Sequence, residues 1–271
     1  MGKIEESLVI VRGGGDLATG VTQAFYRAGF KVLILEIKQP LMIRRNVSLG
    51  SAVIEESIRV EDMLAKKATI DTLSDVWDSG GIPVVIDPEG ELIQQLKPQI
   101  VIDAILAKRN LGTNRKMAPI TIGLGPGFSA PEDVNVVVET MRGHDLGRLI
   151  MKGSALSNTG TPGIIAGKGK ERVVHAPVAG KLKIIKEIGE IVEVGTPILS
   201  VNKTVVYSPL SGVIRGMIQD RLEVKKGLKI ADIDPRTAID YSTISDKARA
   251  LGGACLQAAM LLINNPKKKI R

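Results

Sequence analysis

The chain has 271 residues, enough for two modest domains, with 44% hydrophobic and 24% charged residues and a formal net charge of +8. That balance is ordinary for a soluble globular protein. Aromatic residues make up only 3%, so the stacking platforms of a nucleic-acid binder are missing and no nucleic-acid partner is expected. Part of the excess charge lies in the terminal "PKKKIR", read as a solvated basic tail.

No apolar run is long enough to span a membrane, and "MGKIEESLVIV" has no apolar core of a secretory signal. Glu6 stands where an acylation signal needs Ser or Thr. The one cysteine, Cys255, excludes an intrachain disulfide and fits a reducing compartment. The expectation is a cytoplasmic protein with no membrane partner.

Along the chain, "LVIV" reads as a buried strand and "ATGVTQAFYRAG" as a helix ended by Gly29. "KVLILEI" is a second strand, and "TIDTLSDVW" a helix stopped by "DSGG". Then come a strand "IPVVID", a short helix "ELIQQLK" and strands "QIVIDAIL", "PITIGLG" and "VNVVVETM". Continuous apolar strands interleaved with amphipathic helices predict an α/β domain: a Rossmann-like, doubly wound, mostly parallel sheet over residues 1–150. Residues 151–170, rich in Gly, Ser, Thr and Pro, read as a linker loop.

Residues 171–236 hold an internal repeat. "VVHAPVAGKL" from Val173 returns as "VVYSPLSGVI" from Val205, an offset of 32 residues. The same offset carries "VGTPILSV" onto "KGLKIADI". Two short all-β copies predict a small antiparallel or interlocked sandwich. The turns A-P-x-x-G and S-P-x-x-G resemble those of the biotinyl/lipoyl carrier fold, the barrel-sandwich hybrid. In that resemblance the hairpin tip "VNKT" puts Lys203 near the place of a carrier's modified lysine. The hairpin is short and "NKT" lacks the biotin signature, so a plain structural β module is the favoured reading. Residues 237–271 close with a helix "SDKARALGGACLQAAMLLIN", capped by Asp240, Ser242 or Ser245, and the basic tail. Gly252-Gly253 within it suggests close packing or a kink.

The chemistry gathers at two glycine loops. "GGGDLA" sets Gly13, Gly15 and Ala18 on the G-x-G-x-x-G/A spacing, after a strand and before a helix. Gly13 allows a tight turn, Gly15 lets the backbone approach a pyrophosphate, and the helix start offers free N–H groups to an anion. Glu36 ends the second strand 21 residues after Gly15, near where an acid takes a ribose 2′-OH. Against simple NAD binding stand Asp16, a carboxylate beside the phosphate turn, and the cations Lys38, Arg44 and Arg45 after Glu36. A Gly-rich turn that binds nothing is the competing reading.

The second loop, "GLGPGFSAPED", places Gly123, Gly125 and Gly127 at the end of another strand. Ligands of open α/β sheets bind outside the carboxyl ends of strands, so the two loops are expected to face one crevice. Asp103, Lys108 and Arg109 are candidates to line it; a turn-capping role for Asp103 is as strong. With one cysteine and two separated histidines, His144 and His175, no metal site is expected. No G-x-S-x-G elbow and no G-x-x-x-x-G-K-[ST] loop occurs.

The order "VRGGGDLATGV", "EIKQPLMIRRNVS", "GLGPGFSAPEDVNVVVETMRGHDLGR", "NTGTPG", "VVHAPVAGKL" and "SDKARALGGACLQAA" resembles the selenium-dependent molybdenum hydroxylase system accessory family, the YqeB type, over nearly the whole chain. The matching positions are Gly13, Gly14, Gly15, Asp16, Arg44, Arg45, Gly123, Gly125, Gly127, Phe128, Arg142, Gly143 and His144. The resemblance implies a maturation role for a molybdenum hydroxylase client that needs labile selenium. It implies as ligand a molybdopterin-type cofactor or a nucleotide, a phosphate-bearing small molecule. It supplies no catalytic role for any residue. An NAD(P)-dependent oxidoreductase and a non-enzymatic scaffold that docks the hydroxylase through the β module are the alternatives. Whether the protein is an enzyme, and whether it forms a homo-oligomer, stay open. Cys255, in an apolar helical run, is not expected to carry selenium.

Overall fold

A computed structural model describes residues 7–158, 160 and 163–265. The basic tail and the acylation signal considered above lie outside the described residues. In chain order the elements begin with β1 (Leu8–Arg12), α1 (Asp16–Arg27), β2 (Lys31–Glu36), α2 (Ala52–Glu55), β3 (Ser57–Val60), β4 (Met63–Lys67), α3 (Leu73–Asp78) and β5 (Ile82–Ile86). They continue with α4 (Glu91–Leu96), β6 (Ile100–Asp103), β7 (Ile120–Leu124), β8 (Ser129–Ala130), β9 (Val136–Val138), β10 (Leu149–Ile150) and β11 (Gly153–Ser154). The repeat supplies β12 (Val173–His175), β13 (Gly180–Ile184), β14 (Ile191–Val192), β15 (Pro197–Val201), β16 (Thr204–Tyr207), β17 (Gly212–Met217), β18 (Glu223–Val224) and β19 (Lys229–Asp234), and α5 (Asp246–Asn264) follows.

Two compact units divide the chain. The first takes the described residues up to Pro40, Val47–Asn158 and those from Ile244 on; the second takes Leu41–Asn46 and Thr159–Thr243. Both are discontinuous. The terminal helix belongs to the first unit instead of standing apart, and residues 41–46 belong with the β-rich unit.

The first unit is built on a nine-stranded sheet in the order β10-β9-β7-β6-β1-β2-β5-β4-β3. The seven strands from β9 to β4 run parallel, and β10 and β3 close the edges antiparallel. The sheet is therefore mixed at its rims. The β3–β4 hairpin was not read from sequence because its two-residue turn is Glu61-Asp62, with Glu61 at φ +53, where Asn-Gly is the usual signal. The segment read as a linker also contributes a strand, since β11 pairs with β8.

Successive residues of β1, β2 and β6 enter opposite cores, as a sheet covered on both faces requires. Val9, Val11, Val32, Ile34, Ile100 and Ile102 pack with α1 and α5; Ile10, Leu33, Leu35 and Val101 pack with α3 and α4. No helix connects β7 to β9, and α5 covers that part of the sheet, with Ala254, Ala258 and Leu262 in one core with Ile122 and Val136. Ser245 caps α5 by accepting from the Ala248 N–H at 3.3 Å. The two helices meet at glycines: a Cβ on Gly20 would lie 2.3 Å from the Ala248 carbonyl oxygen, and one on Gly252 2.2 Å from that of Gly20.

The second unit carries two four-stranded antiparallel sheets, β12-β19-β17-β14 and β16-β15-β13-β18. The 32-residue offset relates β13 to β17, β14 to β18 and β15 to β19. Exchanging the two copies turns one sheet order into the other, so each sheet takes strands from both copies. Apolar residues of both sheets, among them Leu182, Ile198, Ile214 and Ile233, form one core.

Candidate functional site

In the parallel sheet, β2 and β6 flank β1 on opposite sides. The chain therefore reverses its direction of travel at β1, and the carboxyl ends of β1 and β6 are the switch point where α/β sheets take ligands. The first glycine turn leaves β1 there, and its three glycines do different work. Gly13, at φ +89, donates its N–H to the Leu35 carbonyl at 2.8 Å. A Cβ on it would lie 3.0 Å from the Ile105 Cα. Gly14 donates to Glu36 Oε2 at 2.7 Å and accepts from the Gly50 N–H at 2.8 Å. A Cβ there would stand 2.6 Å from the Gly50 Cα. Gly15 caps α1 at φ −68 and ψ 179 with no side-chain cap, and space beside it is open. The position expected to let a phosphate approach is thus the one the fold leaves clear.

Glu36 is engaged by the backbone of the turn and of its own strand end. Oε2 accepts from Gly14 and Oε1 from the Ile37 N–H at 2.8 Å. Burial pushes the carboxyl above its ordinary range, against the pull of those two N–H groups. Asp16 opens α1, where its charge favours the helix start. It also acts on Lys247, whose amine is lowered by burial and by Arg142 and raised by Asp16, Glu139 and Asp246. Asp16 and the Lys247 cation thus attract one another.

The second loop sits two strands away and uses its glycines for packing. Gly123 lies under the Phe128 ring, where a Cβ would meet Cγ at 2.6 Å. Gly125, at φ +76, faces Thr140 Oγ1, and Gly127, at φ +110, faces the Arg109 backbone. Residues 105–109, following β6, thus touch both glycine loops, Gly13 through Ile105 and Gly127 through Arg109. The expected crevice between the loops holds this segment, which exposes Lys108 and Arg109. Leu106 and Lys108 both take left-handed φ values, 60° and 63°, uncommon outside glycine.

Asp103 is buried below this segment. It accepts from the Ile105 N–H at 3.1 Å and from Thr113 Oγ1 at 2.6 Å, and Arg12 Nη1 lies 3.7 Å away. Arg12 also donates to Thr113 and to the Pro88 carbonyl. Burial raises the Asp103 carboxyl. Its partners make it the anchor of the loops around the switch point. Sequence reasoning missed Arg12 and Thr113; the signal was an arginine ending the apolar run "LVIVR", a residue type almost never buried unless paired.

Arg44 and Arg45 fall in the second unit. Arg44 donates to the Tyr241 and Thr243 carbonyls at 3.2 and 3.1 Å; Arg45 pairs with Glu187 at 2.8 Å and donates to the Met217 carbonyl. Lys203 is exposed on the two-residue turn between β15 and β16, beside Asn202, whose amide bonds Lys181 and Ala179. His144 and His175 are exposed. Among the described residues no group of three or more His, Cys, Asp or Glu side chains is placed to hold a metal. Cys255 is fully buried, and burial drives its thiol far upward, away from the thiolate form. No helix among the described residues is long and apolar enough to cross a membrane.

Fold and site define an α/β protein with a large mixed sheet, a strand–glycine turn–helix at its switch point and a terminal helix. Over 263 residues the chain is 45% identical to YqeB of Escherichia coli K12, an uncharacterized protein, covering 96% of this chain and 49% of that one. The chain is thus a homologue of YqeB and spans about half its length. No family model matches. Among solved structures, TcdA (CsdL) aligns over 96% of this chain and 89% of its own at 12% identity and a TM-score of 0.34. An aspartoacylase family protein of Mesorhizobium loti aligns over 84% of both chains at 9% identity and a TM-score of 0.26. Likeness at that level bears on neither fold nor function.

Proposed function

We propose that the chain binds a phosphate-bearing cofactor or nucleotide at the Gly15–Asp16 turn and serves the maturation of a selenium-dependent molybdenum hydroxylase. The first unit is read as a Rossmann-like domain and the second as a barrel-sandwich hybrid. The observation that carries the ligand part is Gly15. It is the one glycine of its turn with open space beside it, and it stands at the uncapped start of a twelve-residue helix at the sheet's switch point. The segment after β6 that backs Gly13 through Ile105 also carries the exposed cations Lys108 and Arg109. The maturation role rests on the family resemblance of the sequence, and the β unit is the candidate surface for the client.

An NAD(P)-dependent oxidoreductase is the alternative reading: each Glu36 oxygen accepts one N–H, from Gly14 or Ile37, and keeps a second acceptor site for a ribose hydroxyl. The test is the small molecule that the protein carries. Purified from a host that makes molybdenum cofactor and then denatured, the protein is expected to release a molybdopterin species or a nucleotide identified by mass spectrometry. An empty protein that also ignores added nucleotides would defeat the ligand part. Undiminished selenium-dependent hydroxylase activity in cells lacking the protein would defeat the maturation part.

A further inference from the structure

A second place on the first unit has the form of a binding site. A cavity of about 600 Å³ opens at the carboxyl ends of β4 and β5, well within the size range of small-molecule sites. Its lining divides by chemistry. Ala68, Val85 and Leu92 make an apolar floor, and Ile70 and Ile86 stand on the lining 43% and 39% exposed. Exposed isoleucines on a concave surface offer apolar contact to a flat group.

The polar part of the lining is largely committed. Asp87 accepts from the Gly90, Glu91 and Leu92 N–H groups at 2.9–3.0 Å and so caps α4. Glu56, held at φ +62, pairs with Lys67 at 2.6 Å. Thr69 and Thr72 form a capping box with each other. Glu91 is the remaining carboxylate of the lining, with Gln95 one turn further along the same face of α4. Three carboxylates against one lysine disfavour an anionic ligand. A wholly apolar ligand would desolvate Glu91 and Gln95 without giving them partners.

We propose that this cavity binds a flat aminoheteroaromatic ring whose edge carries two adjacent N–H donors, the guanine-type edge. The ring would lie against Ile70 and Ile86. Glu91, acceptor-only when ionised, takes both donors, and Gln95 offers its amide to the next polar atom of the ring. Asp87, Thr69 and Thr72 hold the walls through hydrogen bonds made without a ligand, and such preorganisation lowers the cost of binding. This inference does not rest on phosphate binding at Gly15.

The test uses the whole chain and nucleosides without phosphate. Isothermal titration with guanosine is expected to give saturable one-to-one binding. Inosine, which lacks the 2-amino donor, should bind at least tenfold more weakly. Glu91 is exposed, so Glu91→Gln should fold normally; it should weaken guanosine at least tenfold, because the Gln amide opposes one ring donor. Gly15→Asp should leave guanosine binding unchanged. No guanosine binding at about 1 mM, equal binding of inosine and guanosine, an unaffected Glu91→Gln protein, or loss in Gly15→Asp would each overturn the assignment. The last result would transfer the nucleoside to the glycine turn.

Discussion

Substituting Gly14 and Gly15 separates packing from ligand access one residue apart. In Gly14→Ala the new methyl group would stand 2.6 Å from the Gly50 Cα and 2.7 Å from its nitrogen, far inside the contact optimum of roughly 3.5–4.0 Å. Both obstacles are backbone, so the turn must move. Overpacking costs about 1–3 kcal/mol. Displacing the Gly14 N–H from Glu36 Oε2 loses a hydrogen bond of about 1 kcal/mol more. A total of about 2–4 kcal/mol lowers the melting temperature by about 5–15 °C in a domain of this size. Gly15→Asp meets no obstacle, its backbone angles suit any residue, and Asp is a better helix cap than Gly by a few tenths of a kcal/mol. Its melting temperature should stay within about 2 °C of the parent. Trp77, the one tryptophan of the chain, donates to the Val32 carbonyl of β2 and reports on this unit by fluorescence. A Gly14→Ala protein as stable as the parent, or a Gly15→Asp protein as damaged as Gly14→Ala, would refute the division of labour in the turn.

Three further outcomes follow from the same geometry. Gly252→Ala drives a methyl into the Gly20 carbonyl and should destabilise by at least about 2 kcal/mol. Gly253→Ala points into open space within α5 and should stabilise by about 0.5–1 kcal/mol, so thermal melts of the pair must move in opposite directions. Ser245→Ala should cost about 1 kcal/mol through loss of the α5 cap, read by denaturant midpoint. Because burial raises the Glu36 carboxyl, the folded state holds that proton to higher pH than the unfolded chain does. Parent stability relative to Glu36→Gln should therefore decline as pH rises from about 4.3, the unfolded value, through the raised folded value. A difference that grows with pH over that interval would contradict the assignment.

Periodicity and turn chemistry made the interior of the fold legible. The apolar runs from "LVIV" to "VNVVVETM" correspond to six of the seven parallel strands, and the 32-residue offset falls on β13–β17, β14–β18 and β15–β19. The rims were not legible. β3 and β4 are short, partly exposed and joined by an acidic turn whose left-handed Glu61 has no sequence signature; Gln23, Arg27 and Arg249 hold it from elsewhere in the chain. The discontinuity of the units was hidden for the same reason, since only long-range packing brings α5 back onto β7 and β9. At the site, spacing singled out the glycines but not their uses. G-x-G-x-x-A fits a turn that touches phosphate and one that touches Gly50 and Ile105 alike. Here Gly13 and Gly14 do the second, and Gly15 stays clear. Glu36 stood at the right separation for a ribose, yet nothing in its spacing told that the Gly14 N–H would take it.

The claim that Gly15 fronts an anion site is tested most directly by the small molecule that the parent and Gly15→Asp proteins carry, each purified from a cofactor-competent host and denatured for mass spectrometry. The added carboxylate leaves the fold intact and repels a phosphate at the start of α1. The account predicts a molybdopterin species or a nucleotide in the parent and its loss from the variant at unchanged melting temperature. The same ligand retained by a folded Gly15→Asp protein would contradict it.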